Sequence, residues 1–176
     1  MPDNPISSTK EDLPQDTTSG GGIVRPLREE EYGLLKDFLY DAIFVPEGAD
    51  PPSRDVVDDP ALSIYYEGFG TQRSDRALCA EIGGRIVGVV WCRATAGFGQ
   101  VAGGIPELAM SVKALFRKRG IGKRLLRAML EALKKEDFAR VSLSVQKANF
   151  AYAMYLKAGF RVFRETEKEY IMVCDL

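Results

Sequence analysis

Five basic residues crowd two glycines in the stretch Arg117-Lys118-Arg119-Gly120-Ile121-Gly122-Lys123-Arg124. An alternating apolar segment stands before it and a helical one after it. A chain that turns through glycine into a helix start makes a ready anion site. The first backbone N–H groups of the helix lack internal partners, and the helix dipole favours negative charge there. Gly120 and Gly122 let the backbone approach a diphosphate without an intervening Cβ. The spacing predicts a pocket for a phosphorylated cofactor. It is not a P-loop, because no Gly-Lys-Ser/Thr follows to supply a magnesium hydroxyl ligand. The same cations also suit a solvated helix face, and the glycines a plain strand–helix connection.

Other side chains narrow the chemistry. The sequence contains no histidine, which removes the commonest general base and every triad or metal site that requires imidazole. Cys79, Cys92 and Cys174 are widely spaced, odd in number and outside any metal motif. They read as buried thiols in a reducing compartment, so no metal is expected. Tyr155 can donate a proton from its phenol at neutral pH, or serve as a core aromatic among Phe150, Tyr152 and Leu156. Glu107 can accept a proton from an ammonium, although a carboxylate at a strand end is also commonplace. Asn149 suits a helix cap and also a pocket.

The elements that must position these groups follow from periodicity. Glu107 to Val112 alternates, with Leu108, Met110 and Val112 on one face. From Ile121 onward Leu125, Leu126, Met129, Leu130 and Leu133 keep helical spacing. Upstream, Ile23–Leu27 reads as a strand and Glu29–Ala42 as a helix. Ile43–Arg54, with three prolines, is irregular, and a short helix starts at Asp59-Pro60 and runs to about Glu67. Segments 77–82 and 86–94 flank Gly83-Gly84 as a hairpin. Thr95–Pro106, with four glycines, is a loop. Downstream come a strand over 141–145, a short helix over 150–158, and strands over 160–165 and 170–174 as an antiparallel pair. The aromatic and acidic segment Phe44–Tyr66, with Glu47 and Asp50, is the place expected for an acceptor.

A length of 176 residues suits one domain, and an apolar fraction of 45% supports a real core. Residues 1–22 are rich in Ser, Thr, Asp, Pro and Gly and read as a disordered tail, leaving 23–176 as the domain. No apolar run is long enough to span a membrane, and no apolar leader precedes the domain, so a cytoplasmic protein without membrane contact is expected. A net charge of −1 argues against a dedicated nucleic-acid binder. A strand–helix–strand unit over 107–145 implies a parallel crossover, whereas the hairpins imply antiparallel pairing. The fold class is therefore a single α/β or α+β domain with a mixed sheet.

With these residues in place, the chain resembles the acyl-CoA-dependent GNAT N-acetyltransferase superfamily. Val112, Arg117, Gly120 and Gly122 stand at the spacing of its Arg/Gln-x-x-Gly-x-Gly/Ala motif. Asn149, Ala151, Tyr155, Gly159 and Phe160 match its second block, and the likeness runs over residues 23 to 176. The resemblance implies about six or seven mostly antiparallel strands flanked by helices and splayed at the central strand. It implies acetyl-CoA as co-substrate and direct transfer to a small-molecule or peptide amine in a ternary complex. Met110, Ser111 and Val112 would hold the pantetheine arm, and amides from Lys118, Arg119, Gly120, Ile121, Gly122 and Lys123 the pyrophosphate. A backbone N–H near Met110 or Ser111 would polarise the acyl carbonyl. Tyr155 would protonate the departing thiolate, and Asn149 would orient the pantetheine or a water. Many members carry a glutamate six residues before the Val112 equivalent; that position here is Pro106, and Glu107 follows it. On a regular strand the shift turns the side chain to the other face, and a bulge would restore it. A homodimer, common in the family, and a non-catalytic acyl-CoA-binding module remain alternatives beside the enzyme.

Overall fold

The computed structural model describes residues 22–176, so the tail expected over 1–22 lies, Gly22 apart, outside the described residues. Seven strands form one sheet in the order β1-β2-β3-β4-β5-β7-β6. They are β1 (Ile23–Pro26), β2 (Arg76–Ile82), β3 (Arg85–Arg93), β4 (Glu107–Val112), β5 (Arg140–Gln146), β6 (Arg161–Glu165) and β7 (Glu169–Asp175). All neighbours pair antiparallel except β4 and β5, which are parallel. The intervening helix α3 (Ile121–Lys135) supplies the crossover that a parallel pair needs. This is the mixed, mostly antiparallel single-domain sheet that the sequence implied.

Both faces of the sheet are covered. Helix α3 buries Ile121, Leu125, Leu126, Met129 and Leu133 against one face, as its spacing predicts, and α4 (Ala151–Lys157) adds Tyr155 to the same core. On the other face α1 (Leu34–Ala42) buries Leu35, Phe38 and Leu39 with Trp91, Val89 and Cys79 of the sheet. Burial of this extent, at about 25 cal/mol per Å² of apolar surface, is the main force holding the layers together. The three cysteines are buried thiols, as expected.

Two helices are shorter than their periodicity suggests. The first breaks into a 3₁₀ turn, Glu29–Glu31, and α1 proper. Glu31 reaches back to accept from the Arg28 N–H and from the Arg25 guanidinium, which spends it on capping the turn. The second, expected to reach Glu67, is only α2 (Pro60–Ser63), capped by Asp59 Oδ1 accepting from Ala61 N. Beyond it the carbonyls of Ile64, Glu67 and Gly68 accept from the buried Arg93 guanidinium. A side chain from β3 thus competes with helical bonding and ends the helix.

Candidate active site

The sheet is split at its centre. Strands β4 and β5 share one rung, Glu107 opposite Ser142, where Ser142 N donates to Pro106 O at 3.0 Å. Beyond it no further pair is registered between them. Strand N–H groups alternate sides, and Lys113 N donates to Val87 O of β3 at 2.8 Å. Ala109 and Ser111 therefore also address β3, whereas the N–H and C=O of Met110 and the N–H of Val112 face the split. Of the two amides expected to polarise a carbonyl, Met110's is the one that opens on the gap. Ser111 lies under α1, its Oγ donating to Phe38 O at 2.7 Å.

The glycine turn closes one end of the split. Gly120, the residue before α3, has φ +78°, and Lys118 has φ +60°. Left-handed residues alternating with right-handed or extended ones turn successive N–H groups toward a common point, a nest for an anion. An alanine Cβ at Gly122 would lie 3.8 Å from Met110 Cε and from Met154 Sδ, which places this glycine at the mouth of the split. Lys118, Arg119 and Lys123 are exposed around it. The other two cations are occupied: Arg117 Nε donates to Val112 O at 2.9 Å, and Arg124 donates to Gly22 O at 2.8 Å. Arg117 thus ties the turn to the end of β4 from within.

Glu107 closes the other end. The β3–β4 register runs unbroken through it, so no bulge restores the alternative face. Its side chain shares the α1 face with Ala109 and Ser111 and is 3% exposed. Oε1 accepts from the Tyr65 hydroxyl at 2.5 Å and from Gly99 N at 2.7 Å, while Oε2 has no partner among the described residues. Burial pushes the carboxyl up to about 7, against those two bonds, which favour the charged form. Arg93 stands directly across the ladder, but its charge is taken by Asp75 at 3.0 Å. A carboxyl raised this far can accept a proton at neutral pH.

The loop from Ala94 to Pro106 seals this chamber by close approach. A Cβ at Gly97 would sit 2.2 Å from the Tyr65 hydroxyl, and one at Gly99 2.5 Å from the Leu143 carbonyl carbon. Tyr65 also accepts from Phe98 N at 2.8 Å and is held by Trp91 Nε1 donating to its carbonyl at 3.1 Å. Tyr65, Gly97 and Gly99 were not singled out from the sequence. The only sequence signals were the aromatic segment around Tyr65 and the glycine density of the loop.

Tyr155 is 8% exposed in the α3-side core, edge-on to Phe160 at 5.7 Å between ring centres. Burial pushes its phenol up to about 12, so it stays protonated at neutral pH and can act as a donor. Asn149 Oδ1 accepts from Ala151 N at 2.9 Å, which fits the cap reading. Glu47 and Asp50 are exposed. No group of His, Cys, Asp and Glu suited to a metal occurs among the described residues. None of their helices is long and apolar enough to cross a membrane.

Residues 39–160 match the acetyltransferase (GNAT) family. No curated protein sequence matches the chain. Among solved structures, similar folds include the PaiA N-acetyltransferase of Thermoplasma acidophilum in complex with coenzyme A, with TM-score 0.62 and 18% identity over 87% of this chain and 98% of that one. The IAA acetyltransferase of Bacillus cereus ATCC 14579 superposes with TM-score 0.60 at 20% identity over 87% and 98%. The ribosomal-protein-S18-alanine N-acetyltransferase of Escherichia coli does so with TM-score 0.58 at 17% identity over 86% and 92%.

Proposed function

The chain belongs to the acetyltransferase (GNAT) family, and from that premise we propose that residues 23–176 form an acetyl-CoA-dependent N-acetyltransferase acting on a small-molecule or protein amine. The observation that carries the reading is the split between β4 and β5, which leaves the N–H and C=O of Met110 unpaired with β5 between an anion nest and a buried base. The residues present suit the co-substrate. An acyl-pantetheine arm carries amides that can pair with a free strand edge, and its pyrophosphate suits the amides of Lys118 to Lys123 at the left-handed turn.

Bound acetyl-CoA supplies an activated acyl carbon and a thiolate leaving group. The Met110 N–H donates to the acyl oxygen, where negative charge develops. Glu107, ionised at and above about pH 7, takes the proton that the acceptor ammonium must lose before its lone pair can attack. Tyr155, protonated up to about 12, returns a proton to the sulfur. Lys118, Arg119 and Lys123 hold the phosphates, and Asn149 shapes the start of α4 beside the arm. The acceptor approaches from the side of α1 and α2, past Phe44–Tyr66.

The test is CoA release from acetyl-CoA against an amine panel. Turnover that rises with pH through about 7 and drops at least about 100-fold in Glu107→Gln and Tyr155→Phe supports the reading. Tight CoA binding with no turnover on any amine replaces it with a non-catalytic acyl-CoA-binding module.

A further inference from the structure

Among the described residues, three buried side-chain oxygens lack a hydrogen-bond partner: Glu107 Oε2, Ser142 Oγ and Ser144 Oγ. They are not scattered. Glu107 and Ser142 face each other across the single β4–β5 rung, and directly opposed residues of a parallel pair point to the same face. Ser144, two residues along β5, points to that face too. Val141, Leu143 and Val145 take the α3 side instead. Gly99 spans the group: its N–H donates to Glu107 Oε1 at 2.7 Å, and a Cβ on it would lie 2.6 Å from Ser144 N. By register the three residues form a file along that face, from the closed end of the split toward the level of Ala109 and Met110. No two of them bond directly.

Leaving three such atoms unsatisfied would cost far more than placing one water among them, since a buried water typically makes about three hydrogen bonds. Glu107 is 3% exposed beneath the 95–106 loop, so an acceptor amine has no direct path to it. We propose that Ser142 and Ser144 hold a water against Glu107 Oε2, and that the acceptor's proton reaches the carboxylate through this serine–water file. The step balances without a co-reactant. The N–H bond of the ammonium breaks toward the water, the water passes one of its own protons to Oε2, and the nitrogen keeps the electron pair. The two serines are positioning residues, because they act through the water on Glu107. The proposal rests on the acetyltransferase reading with Glu107 as base.

The experiment uses the full chain with Ser142→Ala, Ser144→Ala, the double variant and Glu107→Gln. Removing unpartnered buried hydroxyls leaves the fold intact. The carboxyl of Glu107 is titrated by carbon-13 NMR and assigned by its loss in Glu107→Gln. Other charges facing it are Glu169 at the start of β7 and the Arg93–Asp75 pair, with the neutral Tyr65 hydroxyl bonded to Oε1; none of these is altered in the serine variants. Losing the water's donors makes the ionised form harder to hold, so the midpoint rises by about one pH unit in the double variant. With an accepted amine, the kcat–pH midpoint moves in step, and kcat falls about ten-fold or more at unchanged KM for acetyl-CoA. A double variant whose Glu107 titrates where wild type does overturns the proposal, whether or not an amine has been found. Failure of wild type to acetylate any amine, by contrast, strikes the transferase reading and leaves the titration interpretable.

Discussion

The turn before α3 and the chamber around Glu107 stand at opposite ends of β4 and are built by opposite means. The turn works with backbone: left-handed residues at 118 and 120, amides at a helix start, and three exposed cations that make few commitments. The chamber works with side chains fixed from several directions. Tyr65 comes from beyond α2, Glu107 from β4 and Gly99 from the loop, each within hydrogen-bond reach of another, and Ser142 of β5 stands across the ladder from Glu107. In the function proposed above, the turn's ligand is a diphosphate, large, charged and much the same in every cofactor molecule, so a generic cradle suffices. In that proposal, a base that must titrate near neutrality needs a buried, closely specified environment. Substitutions should therefore be tolerated at the turn and punished in the chamber.

The sharpest break comes at Glu107 itself. Glu107→Gln should lower kcat by about 10²–10⁴-fold while making the protein more stable above neutral pH. The folded carboxyl is raised from 4.5 to about 7, so its favourable contribution is complete below 4.5 and lost as pH rises through 7. Wild type should shed about 3 kcal/mol over that window, and thermal melts of the variant should flatten it. Next is Arg93→Met, which leaves buried Asp75 without its cation and three carbonyls without donors. Urea unfolding should show a loss of about 3–5 kcal/mol. Within the loop, Gly99→Ala should cost about 3 kcal/mol, because its Cβ meets β5 backbone rather than a movable side chain. Gly103→Ala, with nothing within 4 Å, should lie within about 0.5 kcal/mol of wild type by the same melts. The turn gives the smallest effects. Gly120→Ala has open space around it and should cost only about 1 kcal/mol for the left-handed φ, and Lys118→Gly should regain somewhat less than that. Equal damage at turn and chamber would erase the contrast.

The turn was legible in the sequence because its signals are local. Glycine, base and helical spacing all fall within one short stretch, and the sheet around it followed from alternation and hairpin glycines. The chamber was not legible as a unit. Glu107 drew notice as a carboxylate at a strand start, but its hydroxyl partner lies 42 residues away in sequence. No periodicity couples Tyr65 to it. The role of Gly97 and Gly99 as close-approach residues looks the same, in sequence, as ordinary loop glycine. Arg93 carried no sequence signal either: nothing at a strand end marks one arginine as buried, yet it is, and it truncates α2. Arg117, placed among the turn's cations by spacing, also ties back to Val112 O, a contact that spacing does not announce.

The split has a consequence for how β4 exchanges its amide protons. By order it is the middle strand of seven, where every N–H would ordinarily be protected to the same depth. With β5 released after one rung, protection should alternate along it, slow at Ala109, Ser111 and Lys113 and fast at Met110 and Val112. The strand is interior on one side and solvent-facing on the other, and deuterium uptake would show that as a two-residue beat. Any extended, amide-bearing molecule that filled the gap would silence the fast amides alone.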